Sequence, residues 1–404
     1  MPPSASDSAQ DPWERSRCEV ADIFRAYGVQ YRAEHRLSPA QAKAMRDLEQ
    51  CRTAALGGHL EQCDACQATR PVYNSCRHRH CPKCQTLAQA QWREAQQAQL
   101  LPVPYYHLVF TVPHALNELL RCNARLLYAA LFQTVSATLK RFADDPAPLG
   151  AELGVTAVLH TWGQNLSYHV HLHCIVTGGG LRPDGERWVP NKKRRFLFPV
   201  RALAKVFQGK FRARLAAAYR TGQLLLEGSC ILLQNPVTWQ RFLATLRRKP
   251  WIVYAKAPLA GPQQVLDYLS RYTHRIAIAN HRILDCRNKL VRFRYKDYAH
   301  GGAVKEMTLS ATEFIRRFLL HVLPPGFMRV RHYGLLANRR REEKLARGRA
   351  LLGYTAVPRA QSAQKSVPER IARLTGVDPS RCPVCGAGPM RCIERFAPRP
   401  LDTS

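Results

Sequence analysis

Apolar and polar residues alternate in some segments of the chain and recur with helical spacing in others, which predicts a mixed α and β fold. Strands are separated by helices of unequal length, and several neighbouring strands are predicted to form hairpins. This order is typical of an α+β domain built on an antiparallel sheet with flanking helices. We predict helices over 18–52, 85–101, 116–142, 200–219, 261–272 and 311–322, and strands over 105–112, 155–162, 168–177, 224–233, 251–256, 276–284 and 290–298.

Shifts in this pattern divide the chain into four predicted regions. A cysteine-rich stretch has neither a helical nor a strand period, which is typical of a small module held by metal. It is followed by a linker helix, and the last region is rich in Arg, Pro and Ser. We therefore predict a helical leader over 1–58, a metal module with its linker helix over 59–100, the α+β domain over 101–335 and a basic, partly disordered tail over 336–404.

The charge of the chain is strongly positive. It has 61 Lys and Arg residues against 29 Asp and Glu residues, a formal net charge of +32. Such a surface favours a polyanion, and nucleic acid is the commonest one. The longest apolar runs fall short of the ~20 residues that span a bilayer, and the N-terminus lacks the apolar core of a signal peptide. We expect a cytoplasmic protein with no membrane segment.

The fourteen cysteines are clustered in a way that favours metal ligation over disulfides. A thiol-reduced protein with structural zinc explains them better than a secreted disulfide scaffold. Cys63-Asp-Ala-Cys66 and Cys81-Pro-Lys-Cys84 are two Cys-x-x-Cys knuckles separated by fourteen residues. Each knuckle offers two thiolates to a tetrahedral ion, so we predict one structural Zn²⁺ held by Cys63, Cys66, Cys81 and Cys84.

Further zinc ligands are available beside these knuckles and near the C-terminus. Cys76 and His80 lie between the knuckles, and the sequence leaves open whether they replace a knuckle cysteine or form a second site. Cys382-Pro-Val-Cys385 is a half-site with no obvious fourth ligand, so its binding of zinc stays open.

Three histidines alternate with apolar residues over 168–176. On a strand His169, His171 and His173 share one face, while the residues between them, Val170, Leu172 and Cys174, face the core. Imidazoles are costly to bury without partners, and a metal ion is a natural partner. Histidines at i and i+2 lie about 6.7 Å apart at Cα, so one ion can bind an adjacent pair and a third ligand from elsewhere. The simpler alternative is a solvated strand.

Two tyrosines, Tyr268 and Tyr272, are spaced to lie on one face of the helix predicted over 261–272. A phenol with a pKa near 10 is a weak nucleophile at neutral pH and needs a nearby cation or a polarised electrophile. Arg271 and Arg275 bring positive charge to this helix, and a metal on the histidine strand would polarise a phosphate. Core packing is the alternative interpretation of the pair.

These motifs together resemble a known family. A His-hydrophobic-His strand, followed about a hundred residues later by Tyr-x-x-x-Tyr, resembles the HUH endonucleases. The surrounding sequence is similar to the two-tyrosine rolling-circle transposases of bacterial insertion sequences, the insertion sequence 91 family, with an N-terminal transposase zinc-binding domain. The resemblance covers about 59 to 335, and its motifs are His160-Thr-Trp-Gly-Gln164, Gly178-Gly-Gly-Leu181, Tyr268-Leu-Ser-Arg-Tyr-Thr-His-Arg275 and Ile278-Ala-Asn-His-Arg282.

The resemblance implies an HUH-like fold over 101–335 and a metal-dependent single-strand DNA endonuclease and strand transferase. In such enzymes the histidine pair, here His171 and His173, holds Mg²⁺ or Mn²⁺ at the scissile phosphate. Tyr268 and Tyr272 would then form a 5′-phosphotyrosine link and release a 3′-OH. The third ligand stays open between His169, Gln164 and a residue of another strand. The implied partner is single-stranded DNA at the element's ends and target, in a nucleoid-associated bacterial protein.

Basic segments indicate where DNA binds. Residues 182–220 contain twelve Lys and Arg residues and two acids, enough to follow a single-stranded backbone. Arg77, Arg79 and Lys83 are interleaved with the zinc ligands and are predicted to contact phosphate. The DNA-binding residues that we predict are Lys192, Lys193, Arg194, Arg195, Arg271 and Arg275.

Two other functions are compatible with the sequence. A rolling-circle replication initiator nickase shares the same chemistry. A non-catalytic zinc-containing nucleic-acid-binding protein would use the knuckles and the basic tail, but it leaves the histidine strand unexplained.

Overall fold

The computed structural model describes residues 18–97, 99–192, 196–259, 264–265, 277–297, 300–354 and 366–399. Its largest sheet has the strand order β11-β4-β5-β3-β7, with β6 added to β5, and the pairs are antiparallel. The predicted α+β class is confirmed. The strands are β3 Tyr105–Thr111, β4 Glu152–Trp162, β5 Tyr168–Leu181, β6 Trp188–Pro190, β7 Ile252–Leu259 and β11 Val330–Gly334.

Helices cover one face of this sheet. The helices α4 Asn117–Cys122, α5 Ala124–Asp144, α6 Val200–Arg220 and α7 Pro236–Arg248 supply apolar side chains to one core with β3, β4 and β5. Phe110 of β3 meets Phe207 of α6 edge to face, with ring centroids 5.3 Å apart. Burying a side chain of this size stabilises the fold by about 1.5–3 kcal/mol. The residues between the histidines, Val170, Leu172 and Cys174, lie in this core as predicted.

A second core lies beside the first. It joins α1 Val20–Glu34 and α2 Pro39–Gln50 to the sheet β10-β9-β8 and to α8 Ala311–Leu319. The strands of this sheet are β8 Ile283–Arg287, β9 Leu290–Asp297 and β10 Ala303–Ser310. Phe24 of α1 packs edge to face against Phe318 of α8 at 5.3 Å. The hairpin between β4 and β5 reaches this core through Trp162 and Leu166.

One disulfide is present within the described residues, between Cys18 and Cys286. It joins the chain just before α1 to β8. The expectation of a fully thiol-reduced chain was therefore wrong for this pair. The two cysteines belong to neither knuckle, so their proximity depends on the packing of α1 against β8, which local spacing does not reveal.

Several element boundaries differ from the predictions. The helix predicted over 18–52 is two helices, because Ser38 caps α2 and Pro39 begins it. The strand predicted over 224–233 is instead a 3₁₀ segment, Gly228–Gln234. Gly228 has φ +54, which breaks an extended strand, and Ile231 and Leu232 are exposed. The sequence analysis also did not predict α7 or β10.

The cysteine-rich N-terminal module and the C-terminal region meet in a third sheet of order β12-β1-β2, formed by β1 Gly58–Cys63, β2 Thr69–Tyr73 and β12 Met390–Phe396. The linker helix α3 Pro82–Gln97 leads from this region to β3. The region predicted as a basic, partly disordered tail contains α9 Arg341–Leu351, α10 Val367–Thr375 and β12 within its described residues. Across the described ranges, the structure has no helix that is both long and apolar enough to cross a membrane.

Candidate active site and metal centres

Strand register places the histidines together on the face of the main sheet opposite the α5–α6 core. His160 of β4 is the register partner of His171 of β5. His173 lies two residues further along β5 and is paired with Val109 of β3. Because paired residues and residues two apart point to the same side, these imidazoles converge. We call His160, His171 and His173 the histidine cluster.

The ligand atoms of the histidine cluster all lie within 4.8 Å of one another. Nε2 of His171 is 3.0 Å from Nε2 of His173, and two nitrogens bound to one ion at 2.0–2.1 Å are about 3 Å apart. The His160 ring lies with its centroid 4.3 Å from the His173 ring and 5.3 Å from the His171 ring. Three imidazoles in this arrangement fit a divalent cation.

Neighbouring groups orient the imidazoles of His171 and His173. Nδ1 of His171 donates to the backbone carbonyl of His169 at 2.9 Å, so its Nε2 is left as an acceptor. Nδ1 of His173 is 2.9 Å from Nε2 of His107, and the rings stack. In the tautomer in which Nδ1 of His173 donates to His107, Nε2 of His173 carries the lone pair that a metal requires. His107 thus contacts a candidate metal ligand directly, and it was not singled out from the sequence.

Burial keeps these imidazoles neutral. It lowers the pKa of His171 to about 3, helped by the charge of His169. It also lowers the pKa of His107 to about 3, with Lys256 contributing in the same direction. The pKa of His173 is lowered well below its usual value by burial and by His160. Neutral imidazole is the form that binds metals, so His171 and His173 are in the metal-binding form at neutral pH.

The third member of the cluster is His160, on the neighbouring strand. The sequence left the third ligand open, and a residue of another strand was one of the three candidates. The other two candidates are not members of this group. His169 contacts Nε2 of His114 through its Nδ1 at 3.1 Å, although its ring centroid lies 4.9 Å from that of His171. The backbone carbonyl of Gln164 accepts from Arg282. Among the described residues the metal-competent group therefore contains His160 rather than His169.

The histidine face opens towards the edge strand β7. The row that contains His173 continues through Val109 to Tyr254, and the row that contains His171 continues through Thr111 to Ile252. Exposure rises along these rows from the buried histidines to Tyr254 at 52% and Ile252 at 65%. Lys256 is also exposed on this strand, beside His107. We call Ile252, Tyr254 and Lys256 the β7 edge.

Tyr268, Tyr272, Arg271 and Arg275 lie outside the described residues, as do Lys193, Arg194 and Arg195. The described residues that precede Tyr268 along the chain are Gln264 and Val265, which are helical. Val265 is fully buried in an apolar cluster that includes Ile175, two residues beyond His173 on β5.

The basic residues inside the described ranges have varied surroundings. Lys192 is exposed. Helix α6, which carries much of the basic segment 182–220, packs on the face opposite the histidines. Arg79 donates to the carbonyls of Phe327, Leu323 and Pro324, and Lys83 forms an ion pair with Glu19. Arg79 and Lys83 thus have partners within the protein, and their contact with phosphate stays a prediction.

The cysteines form two clusters, and the structure does not bring the four knuckle cysteines together. The first, which we call the helix cluster, contains Cys51, Cys76, Cys81 and Cys84. The second, the terminal cluster, contains Cys63, Cys66, Cys382 and Cys385. The predicted single site is replaced by two because β1 and β2 carry the first knuckle away from α3, where the second knuckle begins.

The helix cluster has the dimensions of a zinc site. Sγ of Cys84 is 3.6 Å from Sγ of Cys51 and 3.6 Å from Sγ of Cys76. Sulfurs bound at about 2.3 Å to a tetrahedral ion are about 3.8 Å apart. Cys51 ends α2 and Cys84 lies in the first turn of α3. Of the extra candidates, Cys76 joins this cluster, whereas His80 accepts at Nε2 from the backbone of Leu323.

Comparisons with known proteins find two transposase families and two transposase relatives that are similar to this chain. The family described as “Putative transposase” matches residues 154–344, and the family described as “Transposase zinc-binding domain” matches residues 23–112. “Putative transposase y4qJ” of Sinorhizobium fredii is 51% identical over 397 residues, covering 96% of this chain and 100% of the relative. “Transposase for insertion sequence element IS801” of Pseudomonas savastanoi pv. phaseolicola is 30% identical, covering 83% of this chain and 80% of the relative.

The chain belongs to the insertion sequence 91 family of transposases. The resemblance inferred from the motifs is thereby confirmed, and membership of this family implies an enzyme that cleaves DNA. No solved structure matches the chain.

In this transposase, the histidine cluster and the helix cluster fall within different matched ranges. The histidine cluster lies inside residues 154–344, and the whole helix cluster lies inside residues 23–112. The zinc-binding domain and its cysteine cluster support a structural Zn²⁺ there. Only Cys63 and Cys66 of the terminal cluster fall within the matched zinc-binding domain.

Proposed function

We propose that this transposase cuts and rejoins single-stranded DNA by HUH-type tyrosine transesterification during rolling-circle transposition. The observation that carries the proposal is the histidine cluster: three buried imidazoles whose ligand atoms lie within 4.8 Å of one another on one sheet face. Mg²⁺ or Mn²⁺ held by His160, His171 and His173 would supply Lewis-acid polarisation of the scissile phosphate.

Tyr268 and Tyr272 are the proposed nucleophiles. Val265 supports this assignment because it is helical and buried on the histidine side of the sheet. In a helix that continues from Val265, residues at i+3 and i+7 share its face, and these positions are Tyr268 and Tyr272. A face anchored beside Ile175 would direct both phenols towards the same phosphate.

The proposed reaction conserves the number of phosphodiester bonds. A tyrosine Oη loses its proton to solvent and attacks phosphorus, and the bond from phosphorus to the 3′ oxygen breaks. The 3′ oxygen takes a proton from solvent, which leaves a 5′-phosphotyrosine and a free 3′-OH. Attack by another 3′-OH on the phosphotyrosine reverses these steps and joins a new strand, so no nucleotide cofactor is required. Two tyrosines would allow two DNA ends to be held in turn.

The β7 edge supports a single-stranded substrate. Tyr254 presents an exposed ring on the row of His173, and Lys256 adds positive charge on the same face. Unpaired bases stack on such rings regardless of sequence, whereas a duplex hides the faces of its bases. A strand crossing Tyr254 would bring its backbone to the histidine cluster.

The test is a cleavage assay with the full-length protein. Labelled oligonucleotides that tile both ends of the insertion sequence are incubated as single strands or duplexes with Mn²⁺, Mg²⁺ or a chelator. We expect a covalent protein–DNA adduct on a denaturing gel, only with single strands and a divalent cation. An adduct formed equally in chelator, or cleavage of duplexes without any adduct, would overturn the proposal.

A further inference from the structure

The terminal cluster joins parts of the chain that are far apart in sequence. Sγ of Cys63 is 3.7 Å from Sγ of Cys385, which lies 322 residues later. Sγ of Cys66 is 3.6 Å from Sγ of Cys382, which lies 316 residues later. Each half is a Cys-x-x-Cys knuckle, and neither half has four thiols by itself. The four Sγ atoms lie within 4.8 Å of one another, as in the helix cluster.

Backbone groups around the terminal cluster favour thiolates. The N–H groups of Ala65 and Cys66 point at Sγ of Cys63, at 3.4 and 3.5 Å. On the other knuckle the N–H of Val384 points at Sγ of Cys382 at 3.4 Å, and that of Gly388 at Sγ of Cys385 at 3.5 Å. Hydrogen bonds from N–H groups stabilise negatively charged sulfur and orient it for a metal.

Gly388 shows how closely the two knuckles approach. A Cβ at this position would fall on Sγ of Cys63 and against Ala65. The backbone of the C-terminal knuckle therefore lies directly against the first knuckle. Close approach of this kind requires a residue without a side chain.

The strands beside the terminal cluster also connect the N-terminal module to the C-terminal region. β12 pairs antiparallel with β1, and Cys63 is the register partner of Met390. Arg70 of β2 donates to the carbonyl of Pro379, and Arg391 forms an ion pair with Asp64 between the two knuckles. β1 is thus the central strand of a sheet whose third strand comes from the C-terminal region.

We propose that the terminal cluster binds a second Zn²⁺ that clasps the C-terminal segment onto the N-terminal module. The ion would be held by Cys63, Cys66, Cys382 and Cys385 and would close the chain from β1 to β12 into a loop. This zinc is separate from that of the helix cluster and depends on residues outside the matched zinc-binding domain.

The two zinc ions differ in accessibility. Cys66 and Cys385 of the terminal cluster are exposed, whereas every cysteine of the helix cluster is buried or half-buried. A chelator can therefore approach the terminal zinc more easily. The clasp should open first, and its opening should free the segment that contains α10 and β12 while α1, α2 and α3 stay folded.

The first experiment measures zinc in the full-length protein by elemental analysis. We expect two zinc ions in the wild type, and one in each double variant, Cys63→Ser with Cys66→Ser and Cys382→Ser with Cys385→Ser. Combining all four changes should still leave one zinc, because both pairs hold the same ion. Cys392→Ser is the matched control, since Cys392 is exposed, lies on β12 outside the cluster and should leave both zinc ions bound.

The second experiment uses the wild-type protein, so misfolding of a variant does not affect it. Thiols are alkylated during slow chelation and the modified peptides are identified by mass spectrometry. Cys63, Cys66, Cys382 and Cys385 should become reactive together, before Cys51 and Cys84, while Cys392 reacts from the start. Reaction of Cys382 and Cys385 without chelator, or a C-terminal double variant with two zinc ions, would overturn the clasp.

Discussion

His160 of β4 lies directly opposite His171 of β5 in the main sheet, and their rings meet edge to face with centroids 5.3 Å apart. This pairing places the imidazole of His160 beside the histidines of β5, although the sequence of β4 itself contains no histidine repeat. It completes a three-imidazole group that His171 and His173 begin.

Replacing His160 with Ala tests its role as the third ligand. We expect Mn²⁺-dependent DNA cleavage to fall more than about 100-fold, because even the loss of an outer partner of a metal ligand costs 10–100-fold. Mn²⁺ affinity, measured by titration calorimetry, should fall in parallel. The control is His169→Ala, which removes an imidazole that lies beside His171 but outside the metal-competent group. Equal losses in both variants would contradict the assignment of His160.

His107→Ala tests positioning rather than ligation. Without Nε2 of His107, Nδ1 of His173 loses the partner that fixes its tautomer. We expect metal affinity to fall about 10–100-fold, with cleavage largely restored at saturating Mn²⁺. His107→Gln keeps a hydrogen-bonding side chain and should recover part of the affinity. A loss of cleavage that high Mn²⁺ does not restore would indicate a different role for His107.

The sequence predicts the histidine face correctly because a strand has a period of two, which can be read locally. It does not predict His160 or His107 as partners, because the register between strands depends on packing across the whole sheet. The predicted grouping of the two cysteine knuckles into one site is wrong for the same reason. Spacing identifies Cys63 and Cys66 as a pair of ligands, but the distant strand β12 determines that their partners are Cys382 and Cys385.

Tyr254→Ala tests the β7 edge as a platform for unpaired bases. Stacking of one base is worth about 1–3 kcal/mol, so we expect single-strand affinity to fall about 5- to 100-fold. Tyr254→Phe keeps the ring and should bind as the wild type does. Tyr354→Ala serves as the matched control, since Tyr354 is similarly exposed at 55%. Fluorescence anisotropy with a labelled oligonucleotide measures all three, and an unchanged Tyr254→Ala variant would exclude the platform.

The burial of His321 predicts that the free energy of unfolding depends on pH. It is buried between Thr161 and the carbonyl of Leu166, and burial lowers its pKa to about 4. In the unfolded chain an imidazole titrates near 6.5. The unfolded state therefore binds the proton first as the pH falls, and stability decreases from pH 6.5 down to pH 4. Between pH 7 and pH 5 this group should lower the free energy of unfolding by about 2 kcal/mol.

The check is denaturant unfolding of His321→Gln over the same pH range. The variant keeps hydrogen-bonding groups but does not titrate, so its free energy of unfolding should fall less than that of the wild type between pH 7 and pH 5. His300→Gln, which removes an exposed imidazole, is the control. Identical slopes for the wild type and His321→Gln would show that His321 does not contribute.

The most direct test of the account is to map the covalent adduct. Wild-type protein is incubated with Mn²⁺ and a single-stranded oligonucleotide from the element's end, and the DNA-linked peptides are sequenced by mass spectrometry. We expect phosphotyrosine at Tyr268 and Tyr272, each single Phe variant linked only through the remaining tyrosine, and no adduct when both are replaced. An adduct at any other residue, or undiminished cleavage by the double Phe variant, would contradict the account.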